Sequence, residues 1–439
     1  MPRNEHMALT AFMLVGGFHA GTWRLPNSRA EEIGQLEYVV ELTRMAEAAK
    51  LDAAFFGDAV YPGEVPGPNP TLTAYEPIGT LGALAAMTSK IGLVGTITTS
   101  FSEPYNVARQ LANLDNLSGG RIGWNIVTSW AGNRNFGLDE MPDPEVRYRR
   151  AAEFVAVTKQ LWDSWSDDAV VVDREGGSWA AADRIRRIDH EGEFFKVEGP
   201  TNIRRSPQGF PVMAQAGSSP TGLAFGASVA ELVYTAQPVR AEAEKFYGEF
   251  KRRVREAGRN PEHAKILPGL LPIIGETEQE AKELSEHMAQ FIDLEHGRKQ
   301  FSASHEIDLS DIDLDERIPD DRWSDDPVHG SRYHLHRRFS QDDRYTLREL
   351  LVTSARSMSH LSMVGTPSRI ADEMVAWFEG RACDGFSLNA PDMPDGMRRI
   401  CDLLVPELRE RGYFREEYEG STLRDHLGLE RPASYVRAS

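Results

Sequence analysis

One amide and several hydroxyl side chains interrupt apolar runs of the sequence, and their spacing predicts a binding site. In SGGRIGWNIVTSW (118–130), bulky apolar residues alternate with small or polar ones, and Asn125 belongs to the second set. Because successive side chains of a strand point to opposite faces, the bulky set packs under helices and Asn125 points inward. The same alternation in IGLVGTITTS (91–100) turns Thr96 and Thr98 inward. A buried amide without a partner costs about 1–3 kcal/mol, so we expect a bound group to satisfy Asn125.

Further polar residues follow other apolar runs. Asp58 comes directly after AAFFG (53–57), and Ser218 and Ser219 follow VMAQAG (212–217) just before a helix that begins near Pro220. The backbone N–H groups at such a helix start suit an anion, most simply a phosphate. Taken alone, Asp58 or Ser219 could simply cap the next helix. Their recurrence at several strand ends favours a common site.

The elements that must hold these residues alternate along the chain. Amphipathic helical patterns occur at 37–50, 77–88, 104–120 and 147–165. Strands are predicted at 7–15, 52–58, 91–100, 121–127, 211–217, 230–236, 265–275 and 384–388. Eight strands alternating with helices predict an α/β fold, a (β/α)8 TIM barrel whose polar residues gather at the carboxyl-terminal mouth. A doubly wound sheet is the alternative, but no predicted strand is followed by the G-x-G-x-x-G turn of a dinucleotide fold.

Two polar stretches interrupt this alternation. Residues 166–210 are rich in Asp, Arg and Gly, and residues 291–345 carry many Asp, His and Arg. Long insertions in compact folds often form lids or binding loops. We therefore expect one barrel domain over 1–439 with these two insertions, and an arm from about 412 to 439 packed outside the barrel.

Composition limits the class of protein. The 439 residues carry a net charge of -18, which argues against a general nucleic-acid binder, because that function needs clustered cations. The two cysteines, Cys383 and Cys401, form no metal or redox motif. No apolar run is long enough for a membrane span, and no signal segment is evident at the start. We expect a cytoplasmic protein that binds neither nucleic acid nor membrane.

The order of the motifs resembles the nitrilotriacetate, pristinamycin-synthase and dibenzothiophene-sulfone monooxygenase family, within the bacterial-luciferase-like flavin enzymes. The motifs that carry the resemblance are HAGTWRLP (19–26), FFGDA (55–59), GGRIGWNIVTSW (119–130) with NFG (135–137), RYRRAAEFVAVTKQLWDSW (147–165), SPQGFPVMAQAGSSPTG (206–222), GTPSRIADEM (365–374) and RGYFREEYEGSTLRDHLGL (411–429). The last of them is particularly similar to the sulfone-monooxygenase branch. The resemblance covers nearly the whole chain.

The resemblance implies a (β/α)8 barrel that binds reduced FMN supplied by a separate NADH-dependent flavin reductase. It implies ring contacts from Asp58, Thr96 and Asn125. Toward the phosphate, it implies contacts from Tyr148, Ser218 and Ser219. The family often has His four residues before the tyrosine, and this chain has Pro144 there. One donor on the phosphate side is therefore predicted to be missing.

The resemblance also implies the reaction, in which reduced flavin and O2 form a C4a-(hydro)peroxide that oxygenates the substrate. Such a species needs a dry pocket. The candidate lining residues near the first two strand ends are Phe12, Phe18, Trp23, Phe55 and Phe56, each of which could instead be plain barrel core.

Histidines are the remaining candidates for chemistry. His19 in the first loop and His305 in the second insertion are predicted to hydrogen-bond substrate or peroxide, although His305 could equally be a solvated surface residue. His334 and His336 in YHLHRR (333–338) could suggest a metal site. No carboxylates lie beside them at ligand spacing, so an ion-paired or solvated segment is favoured.

The leading hypothesis is thus a two-component FMN-dependent monooxygenase. A deazaflavin-dependent dehydrogenase on the same barrel is the second, and a catalytically silent flavin-binding protein is the third. The similarity at the carboxyl terminus favours a small apolar aromatic substrate that bears sulfur or halogen. The family implies a homodimer or a homotetramer.

Overall fold

Eight parallel strands form a closed barrel in the computed structural model, which describes residues 6–61, 75–217, 219–324, 331–342 and 345–434. The barrel strands are β1 (Ala8–Phe12), β2 (Ala53–Phe56), β3 (Gly92–Thr98), β4 (Ile122–Val127), β9 (Val212–Gln215), β10 (Leu232–Thr235), β11 (Lys265–Ile274) and β13 (Gly385–Leu388). Their order around the barrel is β1-β2-β3-β4-β9-β10-β11-β13, and β13 pairs with β1 to close it. The predicted TIM barrel and its eight strands are confirmed.

Helices surround the barrel, and many begin at a proline. Pro77, Pro104, Pro144, Pro220 and Pro367 each occupy the first turn of a helix, where the missing N–H costs nothing. The helices are α1 (Leu36–Ala48), α2 (Pro77–Met87), α3 (Pro104–Leu117), α4 (Pro144–Trp162), α5 (Pro220–Val229), α6 (Arg240–Glu256), α7 (Glu278–Ala289), α8 (Leu294–His305), α9 (Ser331–Ser340), α10 (Leu347–Ser357), α11 (Pro367–Glu379), α12 (Asp395–Arg399), α13 (Val405–Glu410) and α14 (Leu423–Leu427). Within the described residues, no helix is long and apolar enough to cross a membrane.

Strand alternation divides the core into two layers. Ile122, Trp124 and Ile126 are buried in the layer between barrel and helices, as predicted. Val94, on the inward face of β3, packs in the barrel interior. Thr96 lies opposite Asn125 in the register of β3 and β4. The predicted inward direction of these two polar side chains is therefore confirmed.

The two polar stretches contain regular structure that their composition does not reveal. The first holds two hairpins, β5 (Val170–Asp173) with β6 (Ser178–Ala180), and β7 (His190–Glu191) with β8 (Lys196–Val197). The second holds α8 and α9, which share a small apolar core with α10. After α10 comes a further strand, β12 (Leu361–Gly365), which extends the sheet beside β11 and was not predicted.

The carboxyl-terminal arm closes the floor of the barrel, which corrects the expectation of an arm packed outside it. The Leu423 amide donates to the Gly120 carbonyl, and the Leu423 side chain is fully buried in the barrel interior. A Cβ built on Gly92 would lie 2.4 Å from Leu423 Cδ1. The leucine thus fills space that glycines at the amino-terminal strand ends leave open.

Replacing Leu423 by alanine should therefore lower the free energy of unfolding by about 2–3 kcal/mol, through lost burial and a residual cavity. Urea unfolding measures this loss. Leu117→Ala is the matched control, because Leu117 is 70% exposed and should change stability by less than about 0.5 kcal/mol. Equal effects of the two substitutions would contradict the burial of Leu423 in the barrel floor.

Candidate active site

An oriented amide lies inside the barrel mouth. The Thr96 hydroxyl donates to the Phe56 carbonyl over 2.8 Å, so its oxygen is left to accept the Asn125 amide N–H at 2.9 Å. This hydrogen bond fixes which way the amide is turned. Asn125 Oδ1 is buried and has no hydrogen-bond partner among the described residues. The mouth therefore presents an acceptor that needs an N–H or O–H donor from a bound molecule.

Ser219 and Gly222 at the start of α5, with the Tyr148 hydroxyl, form one polar side of the mouth, which we call the polar hollow. Ser219 caps the helix and accepts the Gly222 amide N–H at 3.1 Å. A Cβ on Gly222 would lie 2.7 Å from the Tyr148 hydroxyl oxygen and 3.1 Å from Ser219 Oγ. Both hydroxyls thus border the space above Gly222. Backbone N–H groups, two hydroxyls and a helix amino terminus suit a phosphate.

Ser218 and Pro144 were also expected on this side of the mouth, the first as a phosphate contact and the second in place of a histidine donor. Ser218 lies outside the described residues. Pro144 is the first residue of α4, one turn before Tyr148, so the position at which the family often carries His begins a helix here. Tyr148 is half-buried with its ring 5.8 Å from that of Phe225. The packing of its ring against Phe225 thus positions the Tyr148 side chain, without a histidine one turn before it.

Asp58 follows β2 at the same mouth and is half-buried. Burial raises the pKa of its carboxyl, a backbone hydrogen bond from Ala59 opposes that rise, and the nearby Glu76 adds to it. A carboxyl with a raised pKa can hold or release a proton closer to neutral pH.

Aromatic rings line another part of the mouth. Phe12 stacks on Phe55 at 5.3 Å and on Tyr234 at 5.1 Å, and its edge meets Phe18 at 5.8 Å. The Tyr234 hydroxyl forms a 3.1 Å hydrogen bond with His360 Nε2. We call Phe12, Phe18, Phe55, Tyr234 and His360 the aromatic wall, since their rings contact one another in a continuous series.

Two of the predicted lining residues lie elsewhere. Phe56 packs in the outer layer between barrel and helices, because one residue along a strand reverses the direction of the side chain. The pocket assignment of Phe56 is corrected to Phe55. Trp23 lies in a half-buried helical turn over Thr22–Arg24, in the loop that follows the first strand.

His19 is buried at the rim above β1 and β13. Its backbone N–H donates to the Pro391 carbonyl, and its Nδ1 accepts the Gly21 amide at 3.2 Å. Burial, together with the charge of Arg356, lowers the pKa of His19 to about 4. The ring is therefore neutral at pH 7 with its proton on Nε2. That nitrogen has no hydrogen-bond partner in the described part of the chain.

His305 does not line the mouth, which corrects its assignment as a catalytic candidate. It is the last residue of α8, and its ring stacks on Phe301 at 4.1 Å inside the insertion's core. His305 Nδ1 lies 3.0 Å from the Phe301 carbonyl oxygen, and its Nε2 lies 2.9 Å from His336 Nδ1. His336 in turn bonds Ser359 Oγ at 2.5 Å. Both ring nitrogens of His305 are thus engaged by the protein itself.

The metal alternative for YHLHRR is not supported. His334 is exposed while His336 is buried against His305, so the two do not converge. Across the described ranges, no group of three or more His, Cys, Asp or Glu side chains is placed to hold a metal ion.

Several residues of the mouth were missed from the sequence. Thr10 Oγ1, Ser387 Oγ and Asn389 Oδ1 are buried and without a hydrogen-bond partner in the described segments. Strand parity could have indicated Thr10, Ser387 and Tyr234, since each alternates with apolar residues that pack outside the barrel. Arg356 had no such signal, because its contact with the loop of His19 forms only when the barrel closes.

Comparisons with known proteins agree with this architecture. A model of the luciferase-like monooxygenase family matches residues 13–384. The chain is 41% identical over 439 residues to N-acetyl-S-(2-succino)cysteine monooxygenase of Bacillus subtilis (strain 168), covering 98% of each. It is 39% identical over 450 residues to nitrilotriacetate monooxygenase component A of Aminobacter aminovorans, covering 99% of each. A solved structure of riboflavin lyase (RcaE) with modified FMN is similar at a TM-score of 0.86, with 30% identity and 97% of each chain covered.

Proposed function

The chain belongs to the luciferase-like monooxygenase family, and from this premise we propose that it is the oxygenase component of a two-component system that uses reduced FMN and O2. A partner NADH-dependent flavin reductase supplies the reduced flavin. The name of the nitrilotriacetate relative, a component A, supports a separate partner.

The observation that carries this proposal is the unsatisfied acceptor Asn125 Oδ1 in the same mouth as the polar hollow of α5. An FMN molecule has a ring system with N–H donors at one end and a phosphate at the other. Asn125, Thr96 and Asp58 would hold the ring, and Tyr148, Ser218 and Ser219 would hold the phosphate. The donors and acceptors of these residues fit that molecule.

When bound, reduced FMN supplies the electrons that activate O2, so that one oxygen atom enters the substrate and the other leaves as water. The chain's own residues bind, orient and exclude water. The aromatic wall keeps the mouth dry, which protects an oxygen-activating site from unproductive release of hydrogen peroxide. His19 offers a neutral N–H donor at the rim.

The substrate is proposed to be a small organic molecule whose apolar part lies on the aromatic wall. The predicted sulfur- or halogen-bearing aromatic compound is consistent with that wall. The 41% identical relative is named for a sulfur compound, which supports a sulfur-bearing substrate. The deazaflavin dehydrogenase and the silent flavin binder remain the alternatives.

Anaerobic titration with reduced FMN tests the proposal. We expect wild-type protein to bind it, and Asn125→Ala to bind about tenfold more weakly, because one buried hydrogen bond is lost. Asn202→Ala is the control, since Asn202 is exposed and bonds Arg109 on the surface. Unchanged affinity in Asn125→Ala would remove the ring assignment. Binding of deazaflavin instead of FMN would favour the dehydrogenase, and binding without substrate-coupled oxygen uptake would favour the silent binder.

A further inference from the structure

Arg356, at the rim of the barrel mouth, has no acidic partner within the described residues. It is in the last turn of α10, its Nε is buried, and that atom has no hydrogen-bond partner among those residues. Burial lowers the pKa of its guanidinium, and no acidic group of the described ranges acts in the opposite direction. Most arginines of this chain that lie below the surface are paired, as Arg205 is with Asp163 and Arg424 with Glu231. A desolvated, unpaired guanidinium is costly unless a ligand supplies the anion.

Arg356 and His19 share one location. The Ala20 amide donates to the Ala355 carbonyl over 2.9 Å, so the backbones on which the two side chains lie are hydrogen-bonded to each other. The charge of Arg356 also acts on the His19 ring. His19 Nε2 carries a proton and, like Arg356 Nε, lacks an acceptor within the described residues. Two adjacent buried donors therefore require one acceptor group, and one of the donors is charged.

We propose that Arg356 and His19 bind a carboxylate of the substrate, so that the substrate is an organic acid whose apolar part lies on the aromatic wall. This inference rests on the proposed function, because it assumes that the substrate enters this mouth. A carboxylate offers two acceptor oxygens and a negative charge, and it matches the geometry of a guanidinium.

The phosphate of FMN is the other anion that could neutralise Arg356, and the barrel topology argues against it. The polar hollow at α5 follows β9, whereas His19 follows β1. In the closed order β1-β2-β3-β4-β9-β10-β11-β13, three strands separate β1 from β9 in either direction. The two anion sites therefore lie on opposite sides of the mouth. A flavin lying between them would have its phosphate at α5 and leave Arg356 for the substrate.

A pair of probes that differ only in charge tests the carboxylate site without turnover. Phenylthioacetate and its neutral amide, phenylthioacetamide, are titrated calorimetrically into the full-length, flavin-free protein. We expect the acid to bind about 30-fold more tightly than the amide, as a charge-assisted hydrogen bond would give. Arg356→Gln should abolish that preference. Arg348→Gln, on the same helix but exposed and paired with Asp315, should keep it.

Each outcome bears on the proposal. Equal binding of acid and amide, no detectable binding of the acid, or a preference that survives Arg356→Gln would overturn it. Inorganic phosphate is the second probe: if it competes with phenylthioacetate and loses affinity in Arg356→Gln, the site belongs to the flavin phosphate instead, and the substrate assignment is wrong. Failure of reduced FMN to bind, with the charge preference intact, would overturn the proposed function and leave the carboxylate site standing.

Discussion

Gly222→Val is expected to weaken the binding of reduced FMN about 1000-fold, the equivalent of roughly 4 kcal/mol. A Cβ at this position would already lie 2.7 Å from the Tyr148 hydroxyl oxygen and 3.1 Å from Ser219 Oγ. The two methyl groups of valine would therefore occupy the polar hollow. The phosphate would lose at least two charge-assisted hydrogen bonds, each worth about 1.5–3 kcal/mol.

The measurement is an anaerobic fluorescence or calorimetric titration of each variant with reduced FMN. Gly248→Val is the matched control, because a Cβ on Gly248 in α6 meets no atom within 4 Å. Its flavin affinity should equal that of the wild type, and the thermal unfolding midpoints show whether both variants remain folded. Wild-type affinity in a folded Gly222→Val would place the phosphate elsewhere and would remove Tyr148 and Ser219 from the site.

The barrel and the inward polar side chains of its mouth could be predicted, because both follow from short-range sequence patterns. Alternation within one strand was sufficient to turn Asn125 inward, since the bulky set that includes Trp124 must meet the helices. Alternation could not choose between Phe55 and Phe56, because both are apolar and a shift of one residue exchanges the two faces of a strand.

The remainder depended on contacts between residues that are distant in sequence. His305 is a polar residue in a polar stretch of sequence, yet it is buried. Phe301, one turn earlier, stacks on its ring, and His336, which follows 31 residues later, forms a hydrogen bond with it. Arg356 could not be recognised as a site residue from the sequence, because only the folded chain brings the loop of His19 against α10. Likewise, no local pattern could show that Leu423 would cross the barrel floor to reach the glycines of β3 and β4.

Two buried histidines are together expected to withdraw about 6 kcal/mol from the free energy of unfolding between pH 7 and pH 4, while Asp115 and Asp392, whose pKa values burial raises to about 6, act in the opposite direction. Burial lowers the pKa of His19 to about 4, with Arg356 adding to the effect. Burial likewise lowers the pKa of His426 to about 4, with Arg415 adding to it. Each departs from an ordinary value of 6.5, and the shift corresponds to about 3 kcal/mol per group.

The folded and unfolded chains bind different numbers of protons below pH 6.5, which decides whether stability rises or falls with pH. Below pH 6.5 the unfolded chain protonates both rings while the folded chain keeps them neutral, so stability falls as pH falls toward 4 and is complete above 6.5. His426 isolates one half of this effect. Both of its ring nitrogens lack a hydrogen-bond partner in the described part of the chain, and the ring rests on Tyr418 at 4.7 Å, so leucine can replace it without leaving a polar group unpaired.

Urea unfolding from pH 7 to pH 4.5 measures the effect. His426→Leu should lessen the loss of stability over this pH range by about 2–3 kcal/mol, because His426 no longer contributes and of the two buried histidines only His19 then keeps its lowered pKa. His334→Leu, on the exposed side of α9, should leave the slope unchanged. A slope that is the same in both variants would mean that His426 titrates normally. The Arg415 guanidinium would then not exert its charge on that ring, although it donates to the His426 carbonyl at 2.6 Å.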